Sequence, residues 1–514
     1  MESSSGNKRI AKNTAFLYIR MLLVMCITIY TSRVILNALG ASDYGIYNVV
    51  GGIVTMFSFL SGSMAGATSR FLTFELGRQN RESLNATFSA SFNLYLLAGI
   101  IIVVLGEIVG FYFLNYKLTI PADRMVAAHF VLQFSIITAF FTFTQFPYTA
   151  SIIAHEDMGI YAYIGIYEAV SKLLIAWLIT ISPIDHLIFY ASLIMLNQLL
   201  IMSFSRFYCV RRYEECRFRM IKDKDLYKKI MGYTGYDTLP SMAMVVQNQG
   251  VNILLNMFFG PILNAARAIA QQIDGAMLQF VNNFLQAVRP QVIKRYASGD
   301  KDSMFQLMFT ASKFSFMIML ALLLPIIFEI DYILALWLGD AVPDRTAIFC
   351  YIILMMGAIH PLASSMWIGV QAIGKLRNFS FVNSILFLIP LLAGYCLFKM
   401  GQSDYTILIA VFVGVILRYV YSFIQLYRLE KYDMHYYLVS VLGRCILVAL
   451  LSSAITLYVK TQFEESFFRL MMTLFVSELS LALFAWIIGM SKIERDKIKR
   501  LISKKIGIRK TTKV

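Results

Sequence analysis

Long apolar stretches follow one another along the whole chain, separated by short polar segments. About 20 such residues cross a bilayer core of roughly 30 Å as a helix. The pattern predicts fourteen spans, at 13–37, 43–68, 86–114, 124–149, 160–182, 186–207, 233–258, 262–288, 305–328, 346–371, 379–399, 405–427, 438–460 and 467–490. The runs are continuous rather than alternating, which excludes a transmembrane β-barrel. The expected fold class is an all-α polytopic membrane protein.

Two of these spans are not apolar all round. In ARAIAQQIDGAMLQFVNNF, from Ala266, a helix of about 100° per residue places Arg267, Gln271, Asp274, Asn282 and Arg289 on one side. Ala266, Ile269, Ala270, Met277 and Phe280 fall opposite. In DTLPSMAMVVQNQGVNILLN, from Asp237, the residues Asp237, Ser241, Asn248 and Asn252 share a face, and Pro240 and Gly250 are places to bend. Lipid cannot satisfy such faces, so two neighbouring half-polar helices imply a hydrated cavity.

Composition supports the membrane class. Hydrophobic residues make up 58% and charged residues 15%, against about a quarter charged in soluble domains. The mean hydropathy is +0.66. The net charge of +16 concentrates in alternate loops and in the C-terminal tail. That asymmetry places both termini in the cytoplasm and gives no reason to expect a nucleic-acid partner. The expected location is a bilayer, as a multi-pass protein. Six cysteines are scattered without a CxxC pair, so neither a metal site nor a disulfide framework is expected. The five histidines are dispersed, no Walker or GxGxxG motif occurs, and the outer loops are short. No enzyme activity, cofactor or ATP-driven step is expected of this chain.

An internal repeat is visible. RVILNALGASDYG, from Arg33, corresponds to NILLNMFFGPILN, from Asn252, at an offset near 220 residues. A six-span unit repeated in the same orientation gives parallel repeats about an axis along the membrane normal. The expected organisation is an N-lobe at 1–209, a basic linker at 210–231 read as an interfacial helix, and a C-lobe at 232–430. Two added helices follow at 431–490, then a basic tail at 491–514.

Charges inside spans are costly and need partners or a function. Arg20, Arg33, Lys172 and Arg267, with the amides Asn248, Asn252, Gln271 and Asn282, suit an anionic, hydroxylated ligand. Arginine binds phosphate oxygens in a fork, and amides supply donors and acceptors for sugar hydroxyls. Asp237 and Asp274 are candidates for a coupling cation or proton. Structural roles compete. Arg267 could pair with Asp274 or Gln271, Glu168 could pair with Lys172 on one helix face, and single asparagines serve as interhelical glue. Glu107, Lys313 and Glu478 stand isolated.

The stretch from Lys12 to Arg81, with SRVILNALGASDYGIYNVVGG at its centre, resembles bacterial polysaccharide flippases. These are the Wzx-type O-antigen and capsule exporters of the multidrug/oligosaccharidyl-lipid/polysaccharide (MOP) superfamily. The turn LG-x-x-(D/E)-YG, from Leu39 to Gly45, carries most of the likeness. The resemblance implies two six-helix lobes around a V-shaped cavity and alternating access in the bacterial inner membrane. The implied substrate is a polyprenyl-diphosphate-linked oligosaccharide. It implies that Arg20 and Arg267 hold the diphosphate, with Arg33 and Lys172 behind them. A polysaccharide polymerase and other biosynthetic membrane proteins would be partners, and one chain with both lobes makes a monomer the default. The nearest alternative is a multidrug/cation antiporter of the same fold, whose cavity should be acidic. A membrane polymerase or glycosyltransferase is a third reading and would need a long catalytic outer loop.

Overall fold

The computed structural model describes the backbone of residues 2–496 and 499, apart from 79, 156, 220, 222, 375 and 376. The side chains of 2–20, 58–63, 65–67, 70, 77, 158, 229, 232–238, 287 and 377 lie outside the described residues. Among the described residues the regular elements are helices and no strand occurs.

The N-terminal elements are α1 (Glu2–Thr55), α2 (Phe59–Arg78), α3 (Arg81–Tyr116), α4 (Met125–Ala154), α5 (Met158–Thr180) and α6 (His186–Arg212). There follow α7 (Lys224–Phe259), α8 (Pro261–Ala297), α9 (Lys301–Phe328), α10 (Ile330–Leu338), α11 (Thr346–Ile373), α12 (Arg377–Lys399) and α13 (Thr406–Leu429). The last are α14 (Met434–Tyr436), which runs through a π-turn into α15 (Arg444–Gln462), and α16 (Phe467–Phe484). Polar caps start many of them. Asp185 accepts from the N–H groups of Leu187 and Ile188, Asp300 from Ser303 and Ser466 from Arg469. Each satisfies backbone donors that the first helical turn leaves unpaired.

Among the described residues, eleven helices are long and apolar enough to cross a membrane. The difference from fourteen predicted spans has two causes. The first predicted span and the first half of the second form one long element, α1, bent at Gly40 (φ 75°, ψ 167°), and the rest of the second passes through a 3₁₀ turn, Met56–Ser58, into α2. The half-polar spans are α7 and α8, helices of 36 and 37 residues whose amides and charges lower their mean hydropathy.

The chain divides into two compact units. One comprises Met1–Gln272, Trp337–Phe349 and Ser380–Gly414, and the other Ile273–Leu336, Cys350–Phe379 and Val415–Val514. In the first, Ile46, Val49, Val50 and Ile53 of α1 pack with Val131 and Leu132 of α4 and with Leu187 of α6. Here the LGASDYG turn acquires physical meaning. Gly40 has a positive φ that other residues rarely adopt. Asp43 binds Arg124, which also reaches Asp185 at 2.6 Å. Gly45 lies so close to the turn before α8 that a Cβ there would stand 1.9 Å from the carbonyl oxygen of Pro261. Gly260, which precedes that proline, has φ 85°. The repeat-related glycines therefore share one backbone conformation.

The linker differs from expectation. Among the described residues of 213–223 the chain forms one 3₁₀ turn, Glu214–Cys216, and is otherwise non-helical, not an interfacial helix. The reason is a set of specific anchors on α3. Asn85 Nδ2 donates to the carbonyls of Glu215 (2.9 Å) and Arg217 (2.7 Å), and Ser89 Oγ accepts from the Arg219 N–H. Glu215 Oε1 also lies within hydrogen-bonding distance of His155 Nε2.

In the second unit, Glu329 is fully buried and pairs with Arg469 at 2.7 Å, while Thr473 donates to its other oxygen. Lys313, isolated in the sequence, pairs with Glu494 at 2.6 Å. These bonds tie α16 and the segment after it to α9.

Candidate functional site

A cavity of about 350 Å³ lies inside the first unit, at the lower end of the roughly 300–1,000 Å³ usual for ligand pockets. Three polar stripes line it. Asn48, Gly52 and Thr55 come from α1, Ser135, Thr138 and Thr142 from α4, and Gln249, Asn252 and Gln271 from α7 and α8. The spacings are those of one helix face. Tyr47, Phe134, Phe143 and Ile194 supply apolar walls. No carboxylate occurs among the described lining residues.

The amides form an ordered chain. Arg267 Nη1 donates to Asn252 Oδ1 at 2.5 Å, Asn252 Nδ2 to Gln249 Oε1 at 2.9 Å, and Gln249 Nε2 to Thr55 Oγ1 at 3.0 Å. Every bond points the same way, so each polarises the next. Gly52 makes room for it, because a Cβ there would lie 2.6 Å from Gln249 Oε1. Arg267 Nη2 also reaches Asn248 Oδ1 at 3.3 Å. Arg267 is only 4% exposed, and its Nε is buried without a partner among the described residues. Among those residues its partners are neutral amides and no carboxylate compensates its charge, which stands directly behind Asn252. Asn264 Nδ2 fixes the backbone below, donating to the Asn252 carbonyl at 2.7 Å.

The structure distributes the sequence candidates unevenly. Asn252 and Gln271 line the cavity, and Asn248 and Arg267 stand behind it. Arg267 bonds Asn252 and Asn248 rather than Asp274 or Gln271, because α7 brings acceptors closer than the next turns of α8. Lys172 pairs with Glu168 at 2.7 Å on a half-exposed part of α5, the structural alternative. Arg33 is exposed, Asn282 is half-buried on α8 in the second unit, and neither lines the cavity. Asp274 belongs to the second unit. Its Oδ1 is buried without a hydrogen-bond partner among the described residues, close to Gly357. Arg20 and Asp237 lie outside the described residues. Sequence reasoning missed the α1 and α4 stripes. Their signal was present as Asn48, Gly52 and Thr55, and as Ser135, Thr138 and Thr142, each recurring at helical spacing.

No family model and no curated protein matches this chain. Solved structures do. The chain is similar to the lipid II flippase MurJ in an inward closed conformation, with a TM-score of 0.70, 12% identity, and coverage of 95% of this chain and 100% of that one. It is similar to an inward-facing multidrug resistance MATE family transporter of the MOP superfamily, at TM-score 0.67, 13% identity and coverage of 81% and 99%. A MOP superfamily transporter from Pyrococcus furiosus, described as having a binding pocket of reversed polarity, matches at TM-score 0.58 and 14% identity, with coverage of 82% and 97%. The fold of this all-helical membrane protein is that of the MOP superfamily transporters.

Proposed function

We propose that this chain is a flippase that carries a polyprenyl-diphosphate-linked oligosaccharide across the bacterial inner membrane by alternating access. The oligosaccharide would be an O-antigen, capsule or exopolysaccharide repeat unit. The observation that carries the reading is the Arg267–Asn252–Gln249–Thr55 chain. It sets a cation held by neutral amides behind a cavity lined by amides and hydroxyls, the donor set that anionic, hydroxyl-rich ligands require. In this reading Asn252, Gln271 and Gln249 bond hydroxyl or phosphate oxygens, and Arg267 supplies positive potential and holds Asn252 in place. Arg20 and Arg33 on α1 add cations for the diphosphate, and Asn282 adds an amide. Asp274, whose buried Oδ1 has no hydrogen-bond partner among the described residues, takes the coupling proton or cation, with Asp237 as the second candidate. The fold likeness to a lipid II flippase over 95% of the chain supports a lipid-linked cargo.

The test is the surface-glycan and lipid-linked-intermediate profile of a deletion strain. Loss of surface polysaccharide, with finished lipid-linked units accumulating on the cytoplasmic leaflet, is the expected result. A normal profile would overturn the proposal, and efflux of drugs or cations would then be measured for the antiporter alternative. Arg267→Ala should reduce export at least tenfold at unchanged protein level, and Arg267→Lys should recover only part of it, since lysine lacks the fork that reaches both amides.

A further inference from the structure

Whether a cavity takes hydroxyls or phosphates depends on where its hydrogens point. A hydroxyl both donates and accepts, whereas an ionised phosphate oxygen only accepts. In the cavity of the first unit the directions are fixed by groups that can play one role alone. Arg267 only donates, so Asn252 must turn its oxygen towards it. Asn252 then offers Nδ2 to Gln249 Oε1, and Gln249 offers Nε2 to Thr55 Oγ1. Thr55 passes its own hydrogen to the carbonyl of Gly52 at 2.9 Å. A carbonyl only accepts, so the chain is locked at both ends.

The same rule fixes the wall made by α1 and α4. Thr138 donates to the carbonyl of Phe134 at 2.7 Å, and Thr142 to that of Thr138 at 2.8 Å. Asn48 Nδ2 donates to the carbonyl of Tyr44 at 2.7 Å. Such bonds are common in membrane helices, but here they spend the hydroxyl hydrogens of Thr55, Thr138 and Thr142. This wall is left presenting lone pairs, with Asn48 Oδ1 among them. The wall from α7 and α8 keeps donors. An amide nitrogen carries two N–H groups, and Asn252 and Gln249 each use one within the chain. Gln271 adds a further amide. No charged side chain occurs among the described lining residues.

We propose that this cavity is a subsite for an uncharged sugar ring of the cargo, and that the diphosphate is held elsewhere. A sugar hydroxyl can donate to the α1–α4 wall and accept from the α7–α8 wall at once. A phosphate satisfies only the second wall, and its oxygens meet lone pairs on the first. Tyr47, Phe134 and Phe143 give the C–H faces of the ring an apolar surface. A volume of about 350 Å³ suits a single ring better than a whole repeat unit. Arg267 then acts through Asn252, as a positioning residue that sets the direction of the chain. The subsite rests on the transport reading for the identity of the cargo, and adds which part of the cargo sits here.

Saturation-transfer NMR on the purified chain in lipid nanodiscs tests it. The probes are glucose, galactose, rhamnose and N-acetylglucosamine, with inorganic pyrophosphate as competitor. At least one sugar should receive saturation from the protein, and pyrophosphate should not displace it. Thr138→Val with Thr142→Val should cut that signal about fivefold or more, because valine keeps the shape and removes the accepting oxygen. Thr138→Ser with Thr142→Ser, which keeps the oxygens, should retain it. No signal from any of the four sugars, a signal unchanged by the valine pair, or displacement by pyrophosphate would overturn the proposal. Both hydroxyls bond their own helix backbone, so the valine pair should fold. If it does not accumulate, the pyrophosphate competition on the unaltered chain decides. A normal surface glycan in the deletion strain with sugar binding intact removes the transport reading alone. Lost surface glycan without sugar binding removes the subsite alone.

Discussion

Arg124 shows how single residues organise this protein. It stands between Asp43 and Asp185, joining α1, the start of α4 and the cap of α6. Burial pushes the Asp185 carboxyl up, but the hydrogen bond from Arg124 and the N–H groups of Ile188 and Leu187 outweigh it and hold it below the ordinary 3.8. A depressed folded value means that the stabilisation is complete above 3.8 and is lost as pH falls through the folded value. Unfolding temperature in detergent should therefore drop at the acid end of a pH 7-to-3 series, and drop less in Arg124→Ala. At neutral pH that variant leaves two partly buried carboxylates without their cation, a cost of about 1–3 kcal/mol. Gly40 is a second such position. Gly40→Ala puts a Cβ on a positive φ, and roughly 1–2 kcal/mol of destabilisation should appear as a lower unfolding temperature.

At the scale of elements, α7 and α8 are the informative pair. Their apolar sides behave as the 3.6-residue period requires, with Ile269, Ala270 and Met277 nearly inaccessible. Ile269→Asn should lower the amount of folded protein, because it buries an amide with nothing to bond. Gln271→Leu should leave the amount unchanged and impair transport, because it removes an amide from a wall of the cavity without stranding a buried charge. Measuring membrane protein level alongside surface glycan separates the two. The α9–α16 connection makes a different demand. Glu329→Ala leaves Arg469, which is 12% exposed, with only the half-exposed Glu465 at 3.7 Å, and loss of one partner of a buried pair costs roughly 3–5 kcal/mol. That variant should unfold at a markedly lower temperature in detergent, whereas Lys301→Ala, whose pair with Glu430 is half-exposed, should change little.

For the whole molecule, the membrane class and the helices were legible because a bilayer admits only helices and closed barrels, and long continuous apolar runs fit helices. Even the two helices that fall short of the apolar standard were recognisable, since their polar residues recur on one face. The cavity was legible only in part. Asn252 and Gln271 stood out among apolar neighbours, but Thr138 and Thr142 did not. Serine and threonine inside membrane helices commonly bond their own backbone, as Thr138 does to the carbonyl of Phe134 at 2.7 Å, so their presence does not announce a ligand. The linker was misread for a related reason. Its alternating basic and apolar residues fit an amphipathic helix, and only the anchors from Asn85 and Ser89 pull it into a non-helical path.

By itself the sequence determined what local periodicity and composition control. These are that the chain is helical, that it belongs in a membrane, where the glycine turns fall, and which helices carry a polar face. Each of these is written within about 20 residues, the length of one span. Only the tertiary structure decided which polar groups meet. Gln249 and Thr55 are 194 positions apart, and Glu329 and Arg469 are 140. Whether an arginine clamps a ligand, supports an asparagine or neutralises a glutamate depends on what another helix brings within 3 Å of it. No periodicity along a single helix records that.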